Sequence, residues 1–144
     1  MYHSSAHGRS KYSVHSIAIS VGVLLFACAA ACTPTRDAQT ISQLESARDQ
    51  VDSLYDTFTG TTVDDERIET VRATLAGILE YEQKKGKSNA LAVEQVKSIQ
   101  KLFESHVAER KAAARWSGTH KNNKKELIGQ AFTIAIATEN EKNK

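Results

Sequence analysis

The sequence predicts an all-α protein, an antiparallel helical bundle of three to four helices that follows a cleaved N-terminal export segment. Three observations carry this. The 144-residue chain holds one proline and seven glycines, too little turn chemistry for the many short strands of a sandwich or barrel. Its apolar residues recur at steps of three and four from Ile41 onwards, the period of helices with one buried face. Its 25% charged and 6% aromatic residues fit one ordinary globular domain.

The opening "MYHSSAHGRSKYSVHS" is polar, carries Arg9 and Lys11 and has no acid. "IAISVGVLLFACAAAC" then runs from Ile17 to Cys32 without a charge. This is the layout of an export signal. A spanning helix needs about 20 apolar residues; this run is shorter and ends in Thr-Pro-Thr-Arg-Asp rather than in basic flanks.

Both cysteines of the chain, Cys28 and Cys32, sit at the end of that run. Exported proteins that keep cysteines usually pair them, and no residue after Cys32 offers a partner. The segment resembles the lipobox of bacterial lipoproteins, an aliphatic, small, small, Cys pattern whose cysteine becomes the lipidated first residue of the mature chain. "LFAC" places Leu25 before Cys28 but puts bulky Phe26 in a small position. "AAAC" places small Ala30 and Ala31 before Cys32 but only Ala29 in the aliphatic one. Cleavage at Cys32 falls where apolar sequence gives way to polar and leaves no spare thiol, so Cys32 is the expected lipidation site and Cys28 the second choice. The resemblance implies a bacterial cell-envelope address with a membrane anchor of fatty acyl chains such as palmitate. Thr33, a non-acidic residue after the cysteine, resembles an outer-membrane sorting pattern. No family resemblance is found beyond these 32 residues.

Residues 33–40 read as a tether, residues 41–138 as the bundle and residues 139–144 as a frayed tail. Leu44, Ala47, Val51, Leu54 and Phe58 form a heptad seam with Ile41 and Tyr55 beside it. "TGTT" breaks the chain at Gly60, and Thr62 with Asp65 reads as a capping box. A second helix is expected from about Val63 to Lys84, with Ile68, Val71, Leu75, Ile78 and Leu79 on one face. Ser88 or Asn89 would cap a third, with Leu91, Val96, Ile99, Leu102, Phe103 and Val107 apolar. "SGTHKNN" has the composition of a loop. In the last segment Phe132, Ile134 and Ile136 alternate as in a strand, yet Leu127, Ile128, Ala131, Phe132, Ile134 and Ala135 also make a helical face; without a pairing strand, helix is expected. Gly77 and Gly129 inside helices suggest close packing.

Charge divides the chain. Residues 33–82 hold eleven acids against four bases, and residues 83–144 thirteen bases against six acids. Acidic and basic hairpins can neutralise each other within one bundle. They can also mark a partner-binding basic face at Lys111, Arg115, Lys121, Lys124 and Lys125, whose counter-charges in an envelope would be anionic headgroups, an anionic polymer or an envelope protein rather than nucleic acid. A homo-oligomer is equally compatible with a heptad seam.

Enzymatic signatures fail. "KKGKS" lacks the first glycine and the preceding strand of a phosphate loop, and no Glu-x-x-His spacing for a di-iron bundle occurs. His106 reads as a half-exposed boundary residue, His120 as a solvated loop residue and Trp116 as the lid of the core. No cofactor, metal or catalytic residue is expected. The expected function is a membrane-anchored envelope lipoprotein whose bundle is a non-enzymatic interaction or scaffolding module. The alternative is a small exported ligand-binding or hydrolytic protein with a pocket among Tyr55, Tyr81, His106 and Trp116.

Overall fold

Asp37 starts the fold. In the computed structural model, which describes residues 35–142, its side chain accepts hydrogen bonds from the N–H groups of Gln39 at 2.8 Å and Thr40, capping helix α1 (Ala38–Thr57). The cap satisfies donors that a helix start leaves orphaned. Residues 38–40, expected in the tether, are therefore helical. Both cysteines and the expected signal lie outside the described residues. The heptad seam of α1 is core as expected: Leu44, Ala47, Val51, Leu54, Tyr55 and Phe58 are buried.

Helix α2 (Asp65–Lys84) is capped by Asp64, whose carboxylate accepts from Arg67 N at 3.0 Å. Thr62, the expected cap, lies outside the helix. Ile68, Val71, Leu75 and Ile78 are buried, with Asp65 and Glu66 in the first turn, where they favour the helix dipole. The chain then reverses at Gly86, whose φ of 82° suits glycine, and passes through a short 3-10 turn into helix α3 (Ala90–Ala112). Asn89 precedes α3 but makes no side-chain cap; its amide is used elsewhere.

Helix α4 (Gly118–Glu141) starts well before the sequence suggests, because Ser117 Oγ accepts from His120 N at 3.1 Å and makes "GTHKNN" its first turns. The ambiguous segment is helical, with Ile128, Phe132 and Ala135 facing the core. The helix continues through residues 139–141, expected to fray, because Glu139 is buried and hydrogen-bonded. Among the described residues there is no strand.

Each helix packs against its neighbours in the chain and α1 closes against α4. The result is an antiparallel four-helix bundle around one hydrophobic core. One end gathers the start of α1, the α2–α3 turn and the end of α4; the other gathers the α1–α2 and α3–α4 connections.

Two expectations about small residues change. A Cβ built on Gly77 or Gly129 meets nothing within 4 Å, so neither glycine serves close packing. Both interrupt helices where alanine is better by about 1 kcal/mol. Gly77→Ala and Gly129→Ala together should stabilise the bundle by about 1–2 kcal/mol, read as a rise in thermal midpoint, while Gly86→Ala should lower it. Leu54→Ala, in contrast, removes a fully buried side chain and should cost about 2–5 kcal/mol; a Leu54→Ala melt unchanged from wild type would contradict this core.

Candidate functional site

Polar chemistry concentrates at the two ends of the bundle. At the α1-start end, Glu82 is fully buried on the last turn of α2. Its Oε1 accepts from Thr40 Oγ1 at 2.5 Å and Lys85 Nζ at 2.7 Å, and its Oε2 accepts from Asn89 Nδ2 at 2.8 Å. Lys85 Nζ also lies 2.7 Å from Asp37 Oδ2 and 4.3 Å from the centre of the Tyr81 ring. Asn89 Oδ1 accepts from Lys142 Nζ at 3.1 Å, Lys142 pairs with Glu139, and Glu139 Oε1 accepts from the Asp37 N–H at 2.7 Å. The circuit Asp37, Lys85, Glu82, Asn89, Lys142, Glu139 therefore closes on itself. Burial pushes the Asp37 carboxyl up, but the hydrogen bonds from Lys85, Tyr81 and the Gln39 N–H outweigh it and hold the group below the usual carboxylate range.

At the opposite end Tyr55, Phe58, Phe103, His106 and Trp116 pack ring against ring. Trp116 is buried as the lid of the core, and its backbone N–H donates to Phe58 O at 2.9 Å. His106, expected at the boundary, is 1% exposed, with Nδ1 2.9 Å from the Tyr55 hydroxyl. His120, expected in a loop, is in the first turn of α4, edge-on to Trp116, with Nε2 2.8 Å from Glu109 Oε1. Arg110 is buried and bonds three carbonyls, Ala113 O, Gly60 O and Thr62 O, tying the two connections together. Sequence periodicity gave no sign of it, since a charged residue at a core-facing position reads as an interruption.

Of the four residues considered for an inter-helix pocket, Tyr55, His106 and Trp116 gather in this packed end. Tyr81 sits at the other, lining an outer groove of about 580 Å³ between α1 and α2. Among the described residues no three His, Cys, Asp or Glu side chains converge as a metal site.

The basic residues also lie at the Trp116 end. Lys121 and Lys125 pair with Asp56 at 3.0 and 3.1 Å, Lys111 with Asp65 at 2.6 Å and Lys124 with Glu109 at 2.6 Å. Arg115 is exposed. Asp56 and Asp65 belong to the acidic half, so three of these four lysines neutralise it from within the same chain.

No family model, curated protein or solved structure matches the chain.

Burial, and secondarily the nearby Lys124 charge, lower the His106 pKa to about 4. Above pH 6.5 the imidazole is neutral in both folded and unfolded chains. Between 6.5 and 4 only the unfolded chain takes the proton, so stability should fall with pH by up to about 3 kcal/mol. Denaturant unfolding at pH 7, 6 and 5 should show this loss, and His106→Gln should flatten it. An unfolding free energy independent of pH over that window would refute the buried neutral imidazole.

Proposed function

We propose that the chain is a membrane-anchored lipoprotein of the bacterial cell envelope whose bundle is a non-enzymatic interaction or scaffolding module. The observation that carries this is the uncharged run from Ile17 that ends in the chain's only cysteines. The fold supports it in one respect. Asp37 caps α1 only five positions after Cys32, so an acyl chain on Cys32 would hold the hydrogen-bonded end of the bundle within about 18 Å of the membrane surface. No described helix is long and apolar enough to cross a membrane. More than one acyl chain, as on a lipoprotein cysteine, makes such attachment stable.

The Trp116 end lies at the far end of the bundle from that attachment. Its lysines are spent largely on Asp56, Asp65 and Glu109. The charge division accordingly supports assembly of the bundle more than recognition of an anionic partner.

Metabolic labelling with a fatty-acid analogue should mark the full chain, and Cys28→Ser/Cys32→Ser should abolish the label. Retention in Cys28→Ser together with loss in Cys32→Ser would assign the modified residue. Equal labelling of the wild type and the double variant would overturn the lipoprotein reading.

A further inference from the structure

The three large hydrophobic side chains left exposed among the described residues share one face. Leu91 on α3 is 62% exposed, and Leu127 and Ile134 on α4 are 47% and 59% exposed. Leu91, Gln95, Ser98, Ala131 and Ile134 line an open, largely apolar groove of about 340 Å³ between the two helices. The spacing on each side is regular. Leu91, Gln95, Ser98 and Leu102 on α3 step by four, three and four, as do Leu127, Ala131, Ile134 and Thr138 on α4. These are heptad seams, the pattern with which one helix receives another. They lie beside the inward stripes Ala92, Val96, Ile99, Phe103 and Ile128, Phe132, Ala135. Of these second seams, Leu102 and Ala131 pack against the edge of the core and Gln95 Nε2 donates to Thr138 Oγ1 at 2.7 Å, whereas Leu91, Leu127 and Ile134 remain exposed within one chain.

We propose that this α3–α4 face binds a second copy of the same chain, in an antiparallel dimer about a two-fold axis crossing the groove. Such an axis sets each residue of a helix against one of the same helix in the partner, at mirrored distances from the crossing point. On α3 it sets Leu91 against the partner's Leu102. On α4 it sets Ala131 against the partner's Ile134, small against large, and Leu127 against the partner's Thr138.

Charge makes the choice of a second copy. Glu94 and Lys101, both exposed, border the α3 seam on its outer side, seven residues apart, with their midpoint one residue beyond that of Leu91 and Leu102; within one chain Glu94 pairs with Lys97 at 2.8 Å. In the antiparallel pair Glu94 faces the partner's Lys101 and Lys101 the partner's Glu94, two equivalent ion pairs. A parallel pairing of α3 with α3 would set Glu94 against Glu94 and Lys101 against Lys101. Ser98 near the axis leaves room for the helices to approach. The proposal names a partner for the interaction module above, and rests on that reading only in holding that the bundle works by binding.

The test uses the full chain in its native envelope with the photoreactive residue p-benzoylphenylalanine in place of Ser98. Irradiation should give a product of twice the chain mass that mass spectrometry identifies as a self-crosslink. The same probe in place of Glu45, on α1, should give none. Glu94→Lys and Lys101→Glu should each cut the yield about tenfold, since each sets like charges together twice. The double variant Glu94→Lys/Lys101→Glu should restore it. Both positions are exposed, and an unchanged melt of each variant separates lost association from lost folding. A crosslink to another protein, no crosslink, or a double variant no better than the singles would overturn the antiparallel dimer. Membrane fractionation of Cys28→Ser/Cys32→Ser reports on the anchor separately: release of that variant from the membrane bears on lipidation and not on this face.

Discussion

The partly buried circuit from Asp37 through Lys85, Glu82, Asn89, Lys142 and Glu139 back to Asp37 fixes how the helices of this bundle meet. Glu82 and Glu139 are each about 1% exposed or less, and a carboxylate taken out of water must find cations or donors. Their partners come from the cap of α1, the end of α2, the turn before α3 and the end of α4. Sliding any one of these elements along its neighbour by a turn, about 5.4 Å, would strand a buried charge. Apolar seams alone tolerate such slips, because leucine packs against leucine at many heights. The circuit's contribution is therefore registry more than net stability: replacing a whole buried ion network by apolar groups can be neutral, whereas removing one member leaves an uncompensated charge.

The far end solves the same problem with neutral and delocalised groups. The Tyr55 hydroxyl and His106 Nδ1 hydrogen-bond each other inside an aromatic cluster, and Arg110 spends its guanidinium on backbone carbonyls of both connections. Around the Trp116 end, ion pairs such as Lys121 and Lys125 with Asp56, or Lys111 with Asp65, run between the acidic and basic halves. Exposed pairs of this kind are individually worth little. Their common direction still favours α4 beside α1 and α3 beside α2, which is the arrangement observed.

What the sequence disclosed follows from this division. The seams of α1 and α2 and the inward stripe of α3 were legible because burial on one face imposes a period. The start of α1 and the end of α4 were not, because Asp37 and Glu139 meet across 102 residues and each sits in sequence that reads locally as polar tail. "GTHKNN" reads as loop by composition, and only the Ser117 cap and the contact of His120 with Trp116 make it helix. His106 reads as boundary because periodicity ranks polarity and is blind to the Tyr55 hydroxyl that makes its burial tolerable. Leu91, Leu127 and Ile134 read as core for a related reason. When a helix carries apolar residues on two adjacent stripes, the period identifies a helix but does not say which stripe points inward.

Those second stripes also set the strength of any association they support. Leu91, Leu127 and Ile134 are already partly shielded, so covering what remains of each gains on the order of 1 kcal/mol, and a symmetric pair doubles the number of side chains. The sum lies near the lower end of the roughly 4–15 kcal/mol that association costs in lost freedom at the usual standard state. A face of this size holds two free copies together weakly. For copies tethered to one membrane the balance differs, because confinement raises their effective concentration and the anchors have already removed part of the translational freedom. In the proposed dimer the circuit ends lie at opposite ends of a particle whose helices span about 30–36 Å. Two anchors can reach the same bilayer only if the bundles lie along it. An anchor on Cys32, five positions before Asp37, would favour that posture, since it would hold each α1 start close to the surface and leave the rest of the bundle free to tip down beside its partner.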